Sequence, residues 1–201
     1  MNEFSKRLPD GHEHRNTIDL AFGIATRFRQ KAQEIKADKR LSSQGHLEQI
    51  QAAVRNGPIT HLKQLRAQVD ADAEHLQQRR GELVLKAPDP KDVVAAMDRA
   101  EIRSWLRSLP IGERTRHALE GDERIIGAVI NAPSALSGVT DEVHARATGV
   151  ALDRQFGPAL KKLAEEEDAL AVVDSALKVA STQLLSEAGI KSDDGLTEGE
   201  I

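Results

Sequence analysis

Asp10, His12, Glu13 and His14 are the one cluster in this 201-residue sequence whose residue types and spacing suit a transition metal. Imidazole and carboxylate are competent ligands, but a site needs a third and fourth donor held in place by structure. The segment from Met1 to Arg15, with Pro9, Asp10 and Gly11, has no apolar period that would hold them. The expectation is a flexible N-terminal segment over 1–15 without a metal site.

The remaining histidines, His46, His61, His75, His117 and His144, fall on expected helices. They form no HExxH pattern, no i,i+4 pair and no grouping with Ser and Asp. Each therefore reads as a surface or capping residue and not as a general base. Glu165, Glu166, Glu167 and Asp168 supply four carboxylates in a row, yet consecutive helix positions point around the cylinder, which favours a solvated face over a paired-acid site.

Neither a Walker A pattern nor GxGxxG occurs, and the absence of cysteine removes disulfides, thiolate metal sites and cysteine nucleophiles together. No catalytic residue, cofactor-binding residue or cofactor is expected, and the chain is not expected to be an enzyme. Short helices around Leu109-Pro110-Ile111-Gly112, with Arg103, Arg107, Arg114 and Arg116 nearby, resemble a helix-turn-helix in outline. Residues 90–131 carry seven Lys or Arg against seven Asp or Glu, so no positive field recruits phosphate there, and no specific nucleic-acid partner is expected.

What remains is packing chemistry. Ala, Leu, Glu, Lys, Arg and Gln dominate, with four Phe, one Trp and no Tyr, a composition that favours helices over strands. Ile18, Ala21, Ala25, Phe28, Ala32 and Ile35 recur at alternating spacings of three and four, the a/d stripe of a long helix. Asn16 or Thr17 is its expected cap and Ala37 its expected end. Ser42 or Ser43 caps a second helix with Leu47, Ile50 and Val54, interrupted at Asn56-Gly57-Pro58. A third carries Ile59, Leu62, Leu65, Val69, Ala73 and Leu76, with Gly81 placed to end it.

Leu83-Val84-Leu85 reads as a buried linker. Asp89 and Pro90 then suit the cap and first position of a fourth helix reaching Leu109. Short helices over 112–119 and 122–131 complete a middle knot, with Trp105 as either its core anchor or an interface hot spot. Thr140 caps a last long helix that Gly157-Pro158 is expected to break or kink. In it Leu163, Leu170, Leu177 and Leu184 stand seven apart, with Val173 and Ala180 at the offset position. That leucine seam serves either within one chain or between subunits.

The expected fold class is therefore all-α: a long helical hairpin, a long C-terminal helix and a middle knot of short helices. The expected divisions are a flexible segment at 1–15, the hairpin at 16–81, the compact short-helix region at 82–139, the kinked helix at 140–188 and an acidic flexible tail at 189–201. Charge is unevenly spread. Residues 27–80 hold eleven Lys or Arg against six Asp or Glu, whereas 140–201 hold six against thirteen. The two ends either pair within one molecule or steer head-to-tail association.

No stretch nears the about 20 apolar residues a membrane-spanning helix requires, and the start lacks a signal-peptide core, so a cytosolic product without a membrane partner is expected.

Ala37-Asp38-Lys39-Arg40-Leu41-Ser42-Ser43-Gln44-Gly45, and the run from Ile102 through Arg114 to Ala132-Pro133-Ser134-Ala135-Leu136-Ser137-Gly138, together resemble uncharacterised all-helical proteins of tailed bacteriophage and prophage structural gene modules. The likeness spans about half the chain in the order of its elements. It implies a setting without an active site: a virion-associated or assembly protein, in the virion after assembly in the host cytoplasm, whose partners are protein subunits, its own or other virion proteins, in an oligomer. The alternative is a cytosolic adaptor or regulator dimerising through the leucine seam. The residues expected to carry interaction are Leu163, Leu170, Val173, Leu177, Leu184 and Trp105.

Overall fold

A computed structural model describes residues 3–190, and every regular element among them is helical. After a single 3-10 turn at Ser5–Arg7 come α1 (His14–Lys36), α2 (Ser43–Arg55), α3 (Pro58–Glu82), α4 (Val93–Ser108), α5 (Ile111–Glu120), α6 (Glu123–Ile130), the four-residue α7 (Ser134–Ser137) and α8 (Asp141–Glu187). The chain is all-α with a long C-terminal helix, as the periodicities require. The expected acidic tail lies almost wholly outside the described residues.

Two compact units divide the chain, one from residues 1–78 with 164–201, the other from residues 79–163. The second cut lies inside α8, so the last helix contributes to both units.

In the first unit, all six stripe residues of α1 are buried, joined by Ile24. Ile50 and Val54 of α2 and Leu62, Val69 and Leu76 of α3 are buried as well. Ser42 caps α2 by accepting from the Gly45 amide at 3.1 Å. The opposite charges of the two chain ends meet inside this unit: Arg29 and Lys36 of α1 both reach Glu187 of α8, and Arg66 of α3 reaches Asp174 at 2.6 Å. Intramolecular pairing, the simpler of the two readings of the charge asymmetry, is therefore present.

The N-terminal segment departs from expectation. Ser5 and Leu8 are buried, the Ser5 hydroxyl donates to Asp19 at 2.7 Å, Arg15 donates twice to the Leu8 carbonyl, and Phe4 stacks on Phe22. Helix α1 starts at His14, before Asn16 and Thr17, and no side chain caps it. The Ser5–Asp19 and Phe4–Phe22 contacts join residues 14 and 18 apart and Arg15–Leu8 residues seven apart, so no helical period announces them.

Three further breaks differ. Gly81 lies within α3 and does not adopt the left-handed conformation. The cap of α4 is Asp92, accepting from Ala95, while Asp89 closes the preceding turn onto the Lys91 amide. Helix α8 runs unbroken through Gly157 and Pro158; one missing backbone donor within 47 helical residues removes a single rung. Val84 is exposed and Leu83 and Leu85 are only half-buried, so the 83–85 run is not the expected buried linker.

The second unit is built around Leu106, Ala118, Val129 and Ala147, packed by Ile102, Leu109, Leu119, Ile125, Ile130, Val139 and Val143. Asp122 caps α6 and Thr140 caps α8.

Candidate interaction surfaces

The second unit is closed by Arg114. From α5 its guanidinium donates to the Leu106, Arg107 and Leu109 carbonyls at the end of α4, and to the Gly138 carbonyl at 2.6 Å. The last carbonyls of a helix lack intrahelical donors, and one planar fork supplies several of them. Gly138 adopts the left-handed conformation (φ 68°) that ends α7, which lets its carbonyl turn toward Arg114.

Arg103 donates to the Ala128 carbonyl at 3.1 Å and Arg107 to the Leu136 carbonyl. Burial first, then Arg99 and Arg107, holds the Arg103 guanidinium below its usual pKa. Three of the four arginines that gave this region its helix-turn-helix look are therefore engaged with backbone carbonyls.

With the inner face of α4 committed to the core, its outer face is left to solvent. Val93, Val94, Met97 and Trp105 are exposed there, Val94 by 79% and Met97 by 62%, and Ile111 is exposed at the start of α5. Trp105, expected as anchor or hot spot, is not the core anchor: it is 42% exposed and leans on the His117 ring, centroids 5.0 Å apart. Its neighbour Leu106, fully buried, holds the core position, one helical step of about 100° away.

The leucine seam of α8, by contrast, is buried. Leu163, Leu170, Val173, Leu177 and Leu184 are each at most 7% exposed within the single chain. A seam already buried offers no face to a second subunit, so the expectation of an intersubunit role for these five gives way to one of core packing.

The chemistry-bearing residues do not converge. Among the described residues no three His, Cys, Asp or Glu side chains are grouped to hold a metal ion. The His12 and His14 rings lie 5.3 Å apart, His12 Nδ1 faces the His14 amide, and Asp10 is paired with Arg15. His46 and His144 face the Asp38 and Ala132 carbonyls at 2.9 and 3.0 Å, closing turns. A cleft of 570 Å³ opens beside α6 in the second unit, but its charged residues are few: Lys86, Glu123 and Arg154, the last bonded to the Gly121 carbonyl.

The fold and these surfaces define an all-α protein with exposed apolar residues on the outer face of α4. Comparison with protein-family models, curated proteins and solved structures finds no match to this chain. Among the described residues no helix is long and apolar enough to cross a membrane.

Proposed function

We propose that this chain is a non-enzymatic structural protein, a bacteriophage virion-associated or assembly subunit that packs helices against other subunits. The observation that carries the reading is the outer face of α4, where Val93, Val94, Met97 and Trp105 stand in water on a helix whose other face is buried. Exposed apolar side chains gathered on one helix face suit an interaction surface even with Glu101 standing between Met97 and Trp105, and an apolar helix face of a neighbouring subunit is the occupant of matching chemistry. The resemblance of the 37–45 and 102–138 runs to helical proteins of phage structural modules supplies the setting.

The alternative, a cytosolic adaptor or regulator dimerising through the leucine seam, is less favoured because that seam is buried within the single chain. The test is incorporation. In cells carrying the intact gene cluster, the chain is expected to co-purify with particles, and Trp105→Ala with Met97→Ser is expected to lower its occupancy. A chain absent from purified particles would count decisively against the proposal.

A further inference from the structure

The outward face of α1 around Gly23 is open to solvent, with no other element of the chain lining it among the described residues. Six other residues share this face, and they fall symmetrically about that glycine: Leu20 and Thr26 three positions away, Asp19 and Arg27 four, Asn16 and Gln30 seven. These offsets trace one face of a helix. The face is separate from the buried stripe of Ile18, Ala21, Ala25 and Phe28.

From this arrangement we infer that α1 pairs with α1 of a second copy of the chain, antiparallel, about a two-fold axis passing beside Gly23. In such a pair the residue at 23 plus k meets the partner residue at 23 minus k, and the chemistry at each offset is complementary. Arg27 meets an aspartate, position 19 of the other copy, and does so twice by symmetry. Gln30 meets an asparagine, amide to amide. Thr26 and Leu20 flank the crossing, and the two glycines let the backbones approach closely.

Three observations make the face available. A Cβ added at Gly23 would meet nothing within 4 Å inside the chain, so no contact of the monomer demands a residue that weakens helix interiors. Arg27 is exposed and has no partner among the described residues. Asp19 uses one carboxylate oxygen on the Ser5 hydroxyl and keeps the other. A two-fold interface requires such a self-complementary patch. This pairing deepens the subunit-packing proposal by naming one surface and its partner, and it rests on that reading only for its place in assembly.

One helix crossing buries less than the roughly 1,200 Å² of standard interfaces, so the dimer is expected at about 10–100 µM protein. Sedimentation equilibrium of the full chain is the experiment. Wild type should dimerise. Gly23→Leu, which the monomer accommodates, and Arg27→Asp should each weaken the dimer by at least about tenfold, and Arg27→Asp with Asp19→Arg should restore it.

Because the chain has no cysteine, Gly23→Cys should cross-link to a covalent dimer under mild oxidation while Val94→Cys should not. A wild-type monomer throughout this range overturns the pairing, as does a dimer indifferent to Gly23→Leu and Arg27→Asp or cross-linking at Val94→Cys alone. Particle incorporation is read separately: variants that are monomeric yet still enter particles show a pairing that assembly does not need, whereas a wild-type monomer that enters particles overturns the pairing and leaves the assembly reading standing.

Discussion

Arg114 Nη1 donates to the Gly138 carbonyl at 2.6 Å while Nε of the same side chain donates to Leu106 at 3.0 Å, so one guanidinium ties the left-handed end of α7 to the end of α4. Arg114→Ala strands several of those carbonyls at once. The expected loss is about 2–4 kcal/mol by chemical denaturation, since bonds from charged donors exceed neutral ones and stranded acceptors cost more than bonds gain. Arg114→Lys should recover less than half, because an ammonium lacks the planar fork.

Gly138→Ala probes the same contact from the other side. A Cβ there would lie 2.7 Å from Arg114 Nη1 and 3.2 Å from Arg107 Cγ, on a backbone with φ at 68°. Left-handed strain alone costs about 1–2 kcal/mol, and displacement of Arg114 adds to it. Combined with Arg114→Ala, the two losses should fall short of their sum, a coupling read from a double-mutant cycle.

Much of the fold was legible because helical period is a property of neighbouring residues: all six stripe positions of α1, and the leucines of α8, are buried where their spacing puts them. Chain breaks were less legible. Gly81 and Gly157-Pro158 carry breaker chemistry, but packing along α3 and α8 outweighs local cost. Asp89 and Asp92 are both good caps three residues apart, and the helix took the second. Trp105 and Leu106 were separable only by the docking angle of α4. The N-terminal segment is ordered by Ser5 on Asp19 and Phe4 on Phe22, contacts that leave no local signal.

Leu170→Asp and Leu177→Asp distinguish core from interface. With both leucines buried in one chain, each carboxylate would be desolvated or would force the helix to open. Loss of more than about 3 kcal/mol is expected, seen as lower helical ellipticity and an earlier denaturation midpoint. A folded, merely dissociated monomer of unchanged stability would contradict the burial.

Trp105 and Leu106 make an adjacent pair with opposite expectations. Leu106→Ala empties a fully buried position and should cost about 2–5 kcal/mol. Trp105→Ala forfeits a half-exposed ring and its contact with His117, so about 1 kcal/mol is expected. Its larger effect should appear in particle occupancy. A Trp105→Ala chain that is fully stable and fully incorporated would remove the α4 face from the assembly proposal.

The turn between α1 and α2 has its own pH signature. The Arg40 side chain donates to both carboxylate oxygens of Asp38, and the Arg40 amide adds a third bond. Chiefly through the side-chain bonds, these hold the Asp38 carboxyl below its usual range. A folded-state pKa depressed below the unfolded one means the contribution is present above the unfolded value, about 3.9, and is lost as pH falls through the folded value. The contribution of the Asp38–Arg40 pair should therefore be indifferent to pH from neutrality down to about pH 4 and fall away only in stronger acid. NMR titration of the Asp38 carboxyl should give a midpoint below that of an unperturbed aspartate, and Arg40→Ala should raise it toward the ordinary value. Because the pair is exposed, global stability should barely change; an Asp38 midpoint unmoved by Arg40→Ala would show that the turn backbone, and not the guanidinium, holds the charge.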